Sequence, residues 1–527
     1  MKSFRLDKAA FMADAGSEHE ISALGVPDGA DVTWLSDNPS VAEVVSLGNG
    51  KAKILAKSDG DAIIKAKCLE LESQCIASVG YEGQNPIIPA SWKLFIADGE
   101  PHDFDGTLYI YGSRDNPNGY MEGAPKNDWC SDTYHVIYSK DLIHWTDAGE
   151  SLSIWDIPEE TRGSGTRLWA PDIFKSPRDG RYYLLFCTNA GNVLISEGDS
   201  PTGPFGNVRL ITLEGQPLKC IDPAALVDGD SVYIAVQFDF MIGKLNPDDY
   251  STIVPETKVS LRSVMDPADP IYYPFEGPSL RKVGKYFYYI YIACRKTERV
   301  PTRMDYLVSE NPLELGSWRY GGHFVETRDF IRSGNVHGSF EEFKGTHYLA
   351  YHRAAQGYER YTRTMNLDKL TFNDDGTANT IVRTSSGAKG FFRLGETIQA
   401  DSACELSGGR EDDRFVLIKE KPQGMKADAI LALSHENYAA YRYVQLDDVA
   451  EIEFCYRSSA PLTLVLELVS DGNISRHEFL LTESPDFITA KSLFRSSKGL
   501  FEVRISTLGK SGCELAWFRL SSAERDE

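Results

Sequence analysis

The sequence predicts an all-β protein, a five-bladed β-propeller flanked by two β-sandwich domains, and three observations carry that expectation. Aromatic residues make up 11% of the chain and glycines number 44, with no long heptad or alanine-rich stretch, which favours short strands punctuated by turns over helical bundles. A chain of 527 residues exceeds what one core can serve, since single cores stop growing at about 250–300 residues. In the middle of the chain a strand-like run rich in aromatic and β-branched residues follows a glycine turn five times.

These copies are Gly106-Thr107-Leu108-Tyr109-Ile110-Tyr111, Gly180-Arg181-Tyr182-Tyr183-Leu184, Gly229-Asp230-Ser231-Val232-Tyr233-Ile234, Gly284-Lys285-Tyr286-Phe287-Tyr288 and Gly345-Thr346-His347-Tyr348-Leu349. Their glycines are spaced 74, 49, 55 and 61 residues apart, close to the roughly 40–50 residues of a four-stranded blade plus insertions. The run Tyr134 to Trp145 fits the outer part of the first blade. The propeller is therefore predicted over residues 83–385.

Residues 1–82 hold short alternating runs at Val32-Thr33-Trp34, Val41 to Val45 and Ala62 to Ala66, the pattern of a small sandwich. From Trp34 through Ser36, Asn38-Pro39-Ser40-Val41-Ala42 and Val44 the segment resembles bacterial immunoglobulin-like group 2 domains, which implies a spacer or adhesion module without chemistry. Residues 386–527 alternate again, as in Leu462 to Leu468 and Ala516 to Leu520. With Ile398 to Asp401 and Ile452 to Arg457 they resemble a family 6 carbohydrate-binding module. Tyr438, Tyr441 and Tyr443 there could line a sugar platform, although that spacing more often packs.

The formal net charge of -22 argues against a nucleic-acid or anionic-membrane partner, because both need a basic face. Nine cysteines, scattered and without a Cys-x-x-Cys pair, read as reduced thiols rather than a disulfide or zinc framework. The start, Met1 to Lys8, shows no apolar run of signal-peptide or membrane-span length, so a cytoplasmic location is expected.

Seven or eight positions before each turn glycine stands a polar residue: Asp98, Asp172, Asp222, Glu276 and His337. The innermost strand of every propeller blade begins beside the axis, so equivalent offsets should converge on one pocket. Carboxylates crowded into a partly dehydrated cleft have pKa values forced apart, letting an acid and a base coexist, as glycosidic hydrolysis requires. Glu276, between apolar Phe275 and Pro278, suits the general acid; Asp98, beside Gly99, suits the base.

In the order of these motifs the middle segment resembles glycoside hydrolase family 43: Asp98 before the first inner strand, Trp169-Ala170-Pro171-Asp172, Ile221-Asp222-Pro223, and Glu276-Gly277-Pro278. The resemblance implies inverting hydrolysis with Asp98 as base, Glu276 as acid and Asp222 orienting the acid and tuning its pKa, leaving Asp172 to bind substrate or support the site. The family's base usually precedes proline, whereas Asp98 precedes Gly99. The resemblance also implies a structural Ca²⁺ near His337, contacted through its ring or through water. Trp169 could stack on a sugar or pack in the core, and Arg353 could reach a ring hydroxyl, although a surface or inter-blade ion pair is the commoner fate of such a residue.

The expected activity is exo-acting release of α-L-arabinofuranose or β-D-xylose from plant-cell-wall oligosaccharides such as those of xylan, with the pocket partly closed by insertions at 112–133 and 155–168. The alternatives are an endo-arabinanase, a retaining fructosyl hydrolase, and a non-catalytic sugar-binding propeller.

Overall fold

The computed structural model describes residues 4–116, 129, 131–265, 270–297, 302–326, 336–354, 362–406, 415–417, 429–433, 438–447, 449–508 and 513–522. Most of the first predicted insertion, 117–128 and 130, lies outside the described residues. The protein is all-β, and no described helix is long and apolar enough to cross a membrane.

The chain divides into two compact units. One comprises residues 94–136 and 150–382. Most of its strands fall into antiparallel meanders, each opening on one of the polar positions above. Their first strands are Phe95–Phe104, Leu168–Lys175, Ala224–Asp228, Tyr272–Val283 and Gly338–Phe343. The second and fourth meanders are plain four-stranded sheets, Leu168 to Leu210 and Tyr272 to Glu326.

Aromatic and β-branched residues of each meander pack against those of the meander that follows it in the chain. Tyr134 and Val136 meet Ile173 and Phe186; Leu185 and Ile195 meet Ile234 and Val236; Ile242 meets Leu280 and Tyr289; Ile290 and Tyr306 meet Phe340 and Tyr351. The core is thus divided among the interfaces between successive meanders.

The first strands are linked in a cycle. His102 Nε2 lies 2.5 Å from Asp172 Oδ1, the Ala225 amide donates to Asp172 Oδ2 at 2.7 Å, and the Gly277 amide donates to Asp222 Oδ2 at 3.0 Å. Arg281 Nε donates to the Phe340 carbonyl at 2.9 Å, and Gly338 pairs in parallel with Gly99. The starts of these strands are therefore gathered around one axis.

The other unit contains residues 1–93, 137–149 and 383–527. Its N-terminal part has two sheets sharing one core, with Ile21 and Ile54 from one and Phe11, Ile64 and Cys75 from the other. Its C-terminal part is built around two sheets of long strands, among them Val449–Ser458 and Cys513–Ser522 in one and Leu462–Ser470 and Gly499–Leu508 in the other.

The predicted division at 82 and 385 into three successive segments differs from this grouping for a physical reason. Thr146 and Asp147 pair with Phe11 and Ala10, which draws 137–149 into the same unit as the N-terminus. The segment after the N-terminal sheets is stitched to the C-terminal part through Asn85 N to Ser385 O at 2.8 Å and Thr397 N to Glu82 Oε2 at 2.8 Å.

Candidate active site

Each acidic side chain at the axis is aimed by an irregularity in its strand. Asp98 and Asp222 have φ of 56° and 54°, a left-handed conformation that aspartate tolerates better than most side chains. The ladder slips opposite Asp98, between Tyr111 and Ser113, and on both sides of Glu276, so bulges turn these carboxylates out of the regular alternation. Gly277, at φ 66°, is glycine for space as well: a Cβ there would lie 2.7 Å from Ile292 Cδ1 and 3.1 Å from His337 Cδ2.

Asp98 is almost fully buried and held from three sides. Its Oδ1 accepts from Arg363 Nη1 at 2.8 Å and lies 3.2 Å from His337 Nδ1, while its amide donates to His352 Nδ1 at 3.0 Å. Burial alone would raise this carboxyl, but the Arg363 guanidinium and then His337 outweigh it and hold Asp98 well below the usual carboxylate range. Asp222, equally buried, accepts no hydrogen bond from a guanidinium among the described residues and feels Arg363 only weakly, after His337, Asp98 and the Gly277 amide. Burial and the charge of Asp98 outweigh the help of His337 and the Gly277 amide and push it up to about 6. Two acids within reach of each other's charge are thus driven in opposite directions, the arrangement that assigns separate proton roles.

Glu276 is half-buried and stands one residue before the amide that grips Asp222. Its charge also reaches Arg363. Asp98, Asp222, Glu276 and His337 therefore share one neighbourhood, with Arg363 among them.

Asp172 does not join them. It is fully buried deeper along the axis, where Oδ1 meets His102 and the Ile173 amide, and Oδ2 meets the Ala225 amide and lies 3.7 Å from Arg281. The reason is the turn. In the first meander a two-residue turn follows Phe104↔Thr107, six residues after Asp98; in the second a six-residue turn follows Lys175↔Tyr182, only three residues after Asp172. Counting from the turn glycine gave the same offset, but strand register places Asp172 level with Glu100 and His102 rather than Asp98. A direct contact of Asp172 with substrate is accordingly corrected to a supporting place in the core.

Trp169 is the residue of the second meander level with Asp98. It is half-buried, with its indole donating to the Trp129 carbonyl at 3.0 Å. Arg353 is not a surface residue: it is buried on Thr346–Ala354, and the guanidinium that reaches Asp98 is that of Arg363, opposite Ala354 on the neighbouring strand. Of the three tyrosines at the C-terminus, Tyr441 is fully buried and donates to the Ala400 carbonyl.

Two places at the axis invite the question of a metal. Glu100, His102 and Asp172 bring ligand atoms within 4.8 Å of one another, but the Arg281 guanidinium already occupies that site at 2.5 Å from Glu100, which removes the room and charge a cation would need. His337 differs, because its Nε2 is buried with no hydrogen-bond partner among the described residues. Burial would lower this imidazole, yet Asp98, Asp222 and Glu100 push it up to about 9. An orphaned ring nitrogen in that negative field fits a hydrated divalent cation in place of the ring proton.

Sequence reasoning missed Arg363, Asp115 and His352. Arg363 binds both oxygens of Asp115, through Nη2 at 2.8 Å and through Nε and its own amide at 2.9 Å each, while reaching Asp98. No run of apolar residues marks it, since Arg363 stands among Thr362, Thr364, Met365 and Asn366; its burial, rare for an arginine unless paired, shows only in the fold.

The sequence profile of Glycosyl hydrolases family 43 matches residues 86–378, more than half of the chain. A xylosidase/arabinosidase of Thermoclostridium stercorarium is 30% identical over 58% of this chain and 67% of its own length. An arabinoxylan arabinofuranohydrolase of Paenibacillus polymyxa is 27% identical over 54% of this chain, which spans about half (49%) of that relative. Among solved structures, a β-xylosidase/α-arabinofuranosidase from a compost microbial metagenome, in complex with xylotriose and in a calcium-free form, is 26% identical over 57% of this chain and 97% of its own, with a TM-score of 0.45.

Proposed function

From the premise that the chain belongs to glycosyl hydrolases family 43 and is a glycoside hydrolase, we propose that it is an inverting, exo-acting enzyme that releases α-L-arabinofuranose or β-D-xylose from plant-cell-wall oligosaccharides. The observation that carries this reading is the split between Asp98, kept ionised beside Arg363, and Asp222, pushed up to about 6 beside the peptide that follows Glu276. The cyclic linkage of the first strands supports a five-bladed propeller with this site at its axis. The pentose assignment rests on the relatives' names. Eight described cysteines, all free and buried, support a reducing compartment and hence short imported oligosaccharides as substrate.

In this reading Glu276 protonates the glycosidic oxygen as the bond to the anomeric carbon breaks. A water on the opposite face attacks that carbon and gives its proton to Asp98, so the released sugar carries the inverted anomeric configuration. Asp222 holds the Gly277 peptide, which fixes the approach of Glu276, and its charge opposes ionisation of the acid. Trp169 offers an apolar face to the sugar ring. Bound Ca²⁺ would be held near His337 through water and would add positive charge at the axis.

The test is a panel of aryl α-L-arabinofuranosides, β-D-xylosides and galactosides, with proton NMR following the first anomer released. Turnover of a pentoside with inversion is expected. Retention, or no pentoside turnover, would overturn the reading.

A further inference from the structure

Cys187 lies next to the end of the buried strand Tyr182–Thr188 and has no part in the reaction just described, yet its sulfur sits between two elements of the site. Its Sγ accepts the Asp222 amide at 3.2 Å and points its own hydrogen toward the Trp169 carbonyl at 3.4 Å. That carbonyl also accepts from Tyr134 Oη at 2.9 Å. On the far side, Asp222 Oδ2 accepts the Gly277 amide at 3.0 Å, one peptide from Glu276. A line of hydrogen bonds therefore runs from the second meander, through one thiol and Asp222, to the backbone beside the acid.

The Asp222 amide needs such a partner. At φ 54° just ahead of its strand, Asp222 turns its N–H away from ladder bonding, and a buried unpaired amide is costly. Sulfur suits the position because its long C–S bond and large radius reach across more than 3 Å to donor and acceptor at once. Burial, reinforced by the nearby charge of Asp222, pushes the thiol well above its ordinary range, so the S–H that binds Trp169 is retained at every working pH.

We infer that Cys187 is a positioning residue for the general acid: through the Asp222 amide it sets the aspartate that holds the Gly277 peptide, and so fixes Glu276 against the leaving-group oxygen. This rests on the assignment of Glu276 as acid. It touches neither substrate nor the reacting atoms.

The experiment compares Cys187→Ser, which keeps a donor and an acceptor, with Cys187→Ala and the near-isosteric Cys187→Val, which keep neither. Each is assayed on a xyloside or arabinoside with an alkyl or sugar leaving group, and on its 2,4-dinitrophenyl counterpart, whose departure needs no protonation. For the Ala and Val variants, kcat on the poor leaving group should fall on the order of 10-fold, with KM within about twofold and the dinitrophenyl rate within about twofold; Ser should restore most of the loss. Equal losses on both substrates would reduce Cys187 to a packing residue, and unchanged kcat on both would remove it from the site; either result overturns the inference. If the Ala variant fails to fold, the Ser and Val pair carries the same comparison. A wild-type protein inactive on both pentosides would instead defeat the functional reading itself, a failure separate from that of the inference.

Discussion

Arg363 reaches Asp98 with one nitrogen, Nη1 to Oδ1 at 2.8 Å, while its other donors are spent on Asp115. Asp115 thus orients the cation, and the cation keeps Asp98 ionised in a place where burial alone would neutralise it.

Lysine at 363 keeps a charge but cannot hold Asp115 with two nitrogens and reach Asp98 with a third. Arg363→Lys is expected to lower kcat/KM by about 100-fold on a poor leaving group. The direction on pH follows from the sign: Asp98 is held low, and a weaker partner lets it rise toward the ordinary carboxylate range. The acidic limb of kcat/KM should therefore move to higher pH, which a pH–rate profile measures.

Asp222→Asn separates stability from activity. The folded-state carboxyl is raised to about 6 from an unfolded value near 4, so the folded form binds this proton more tightly. Its contribution is fully present below about pH 4 and is lost as pH rises through 6, by roughly 3 kcal/mol at most. Asparagine should flatten that slope between pH 4 and 6 in chemical denaturation, while reducing kcat on natural leaving groups by about 100-fold or more.

Glu276→Gln is expected to reduce kcat on xylobiose or an arabino-oligosaccharide by at least about 10³-fold, leaving sugar binding within a fewfold by calorimetry. Loss of binding in place of turnover would contradict the acid role.

Arg281 stands between Glu100, at 2.5 Å, and Asp172, at 3.7 Å, with all three buried. Arg281→Met takes the guanidinium from Glu100 and a nearby positive charge from Asp172, which keeps His102 and two backbone amides, and should cost about 3 kcal/mol, read as a lower denaturation midpoint. Chelators should not reproduce the effect, since the guanidinium holds the place a metal would take.

A Cβ at Gly99 would lie 2.3 Å from Met365 Cε and 2.8 Å from its Sδ, closer than side chains approach. Met365 fills that space, so a side chain at position 99 requires the flexible end of Met365 to move. Gly99→Ala should destabilise by about 1–3 kcal/mol, and Met365→Ala in the same chain should recover part of it.

The positions of Asp98, Asp222, Glu276 and His337 were legible because their meanders end in two-residue turns, which leave them six or seven residues ahead of the last ladder pair. Asp172 was misplaced by a longer turn that the glycine count could not see. Arg363, Asp115 and His352 were invisible for another reason: they stand on second and third strands, where no repeat marks them; Arg363 and His352 meet Asp98 only across meanders, and Asp115 acts through Arg363.

By itself the sequence determined the all-β class, the recurrent strand-turn unit and the residue types ahead of each turn, because periodicity and turn chemistry are local. Tertiary structure alone decided which carboxylate lies beside a guanidinium and which stands without one, how deep Asp172 sits, and which residues share a unit. Those depend on ladder register and on contacts between residues far apart in the chain, 265 positions for Asp98 and Arg363, and ionisation follows the field at the site rather than the neighbours in the chain.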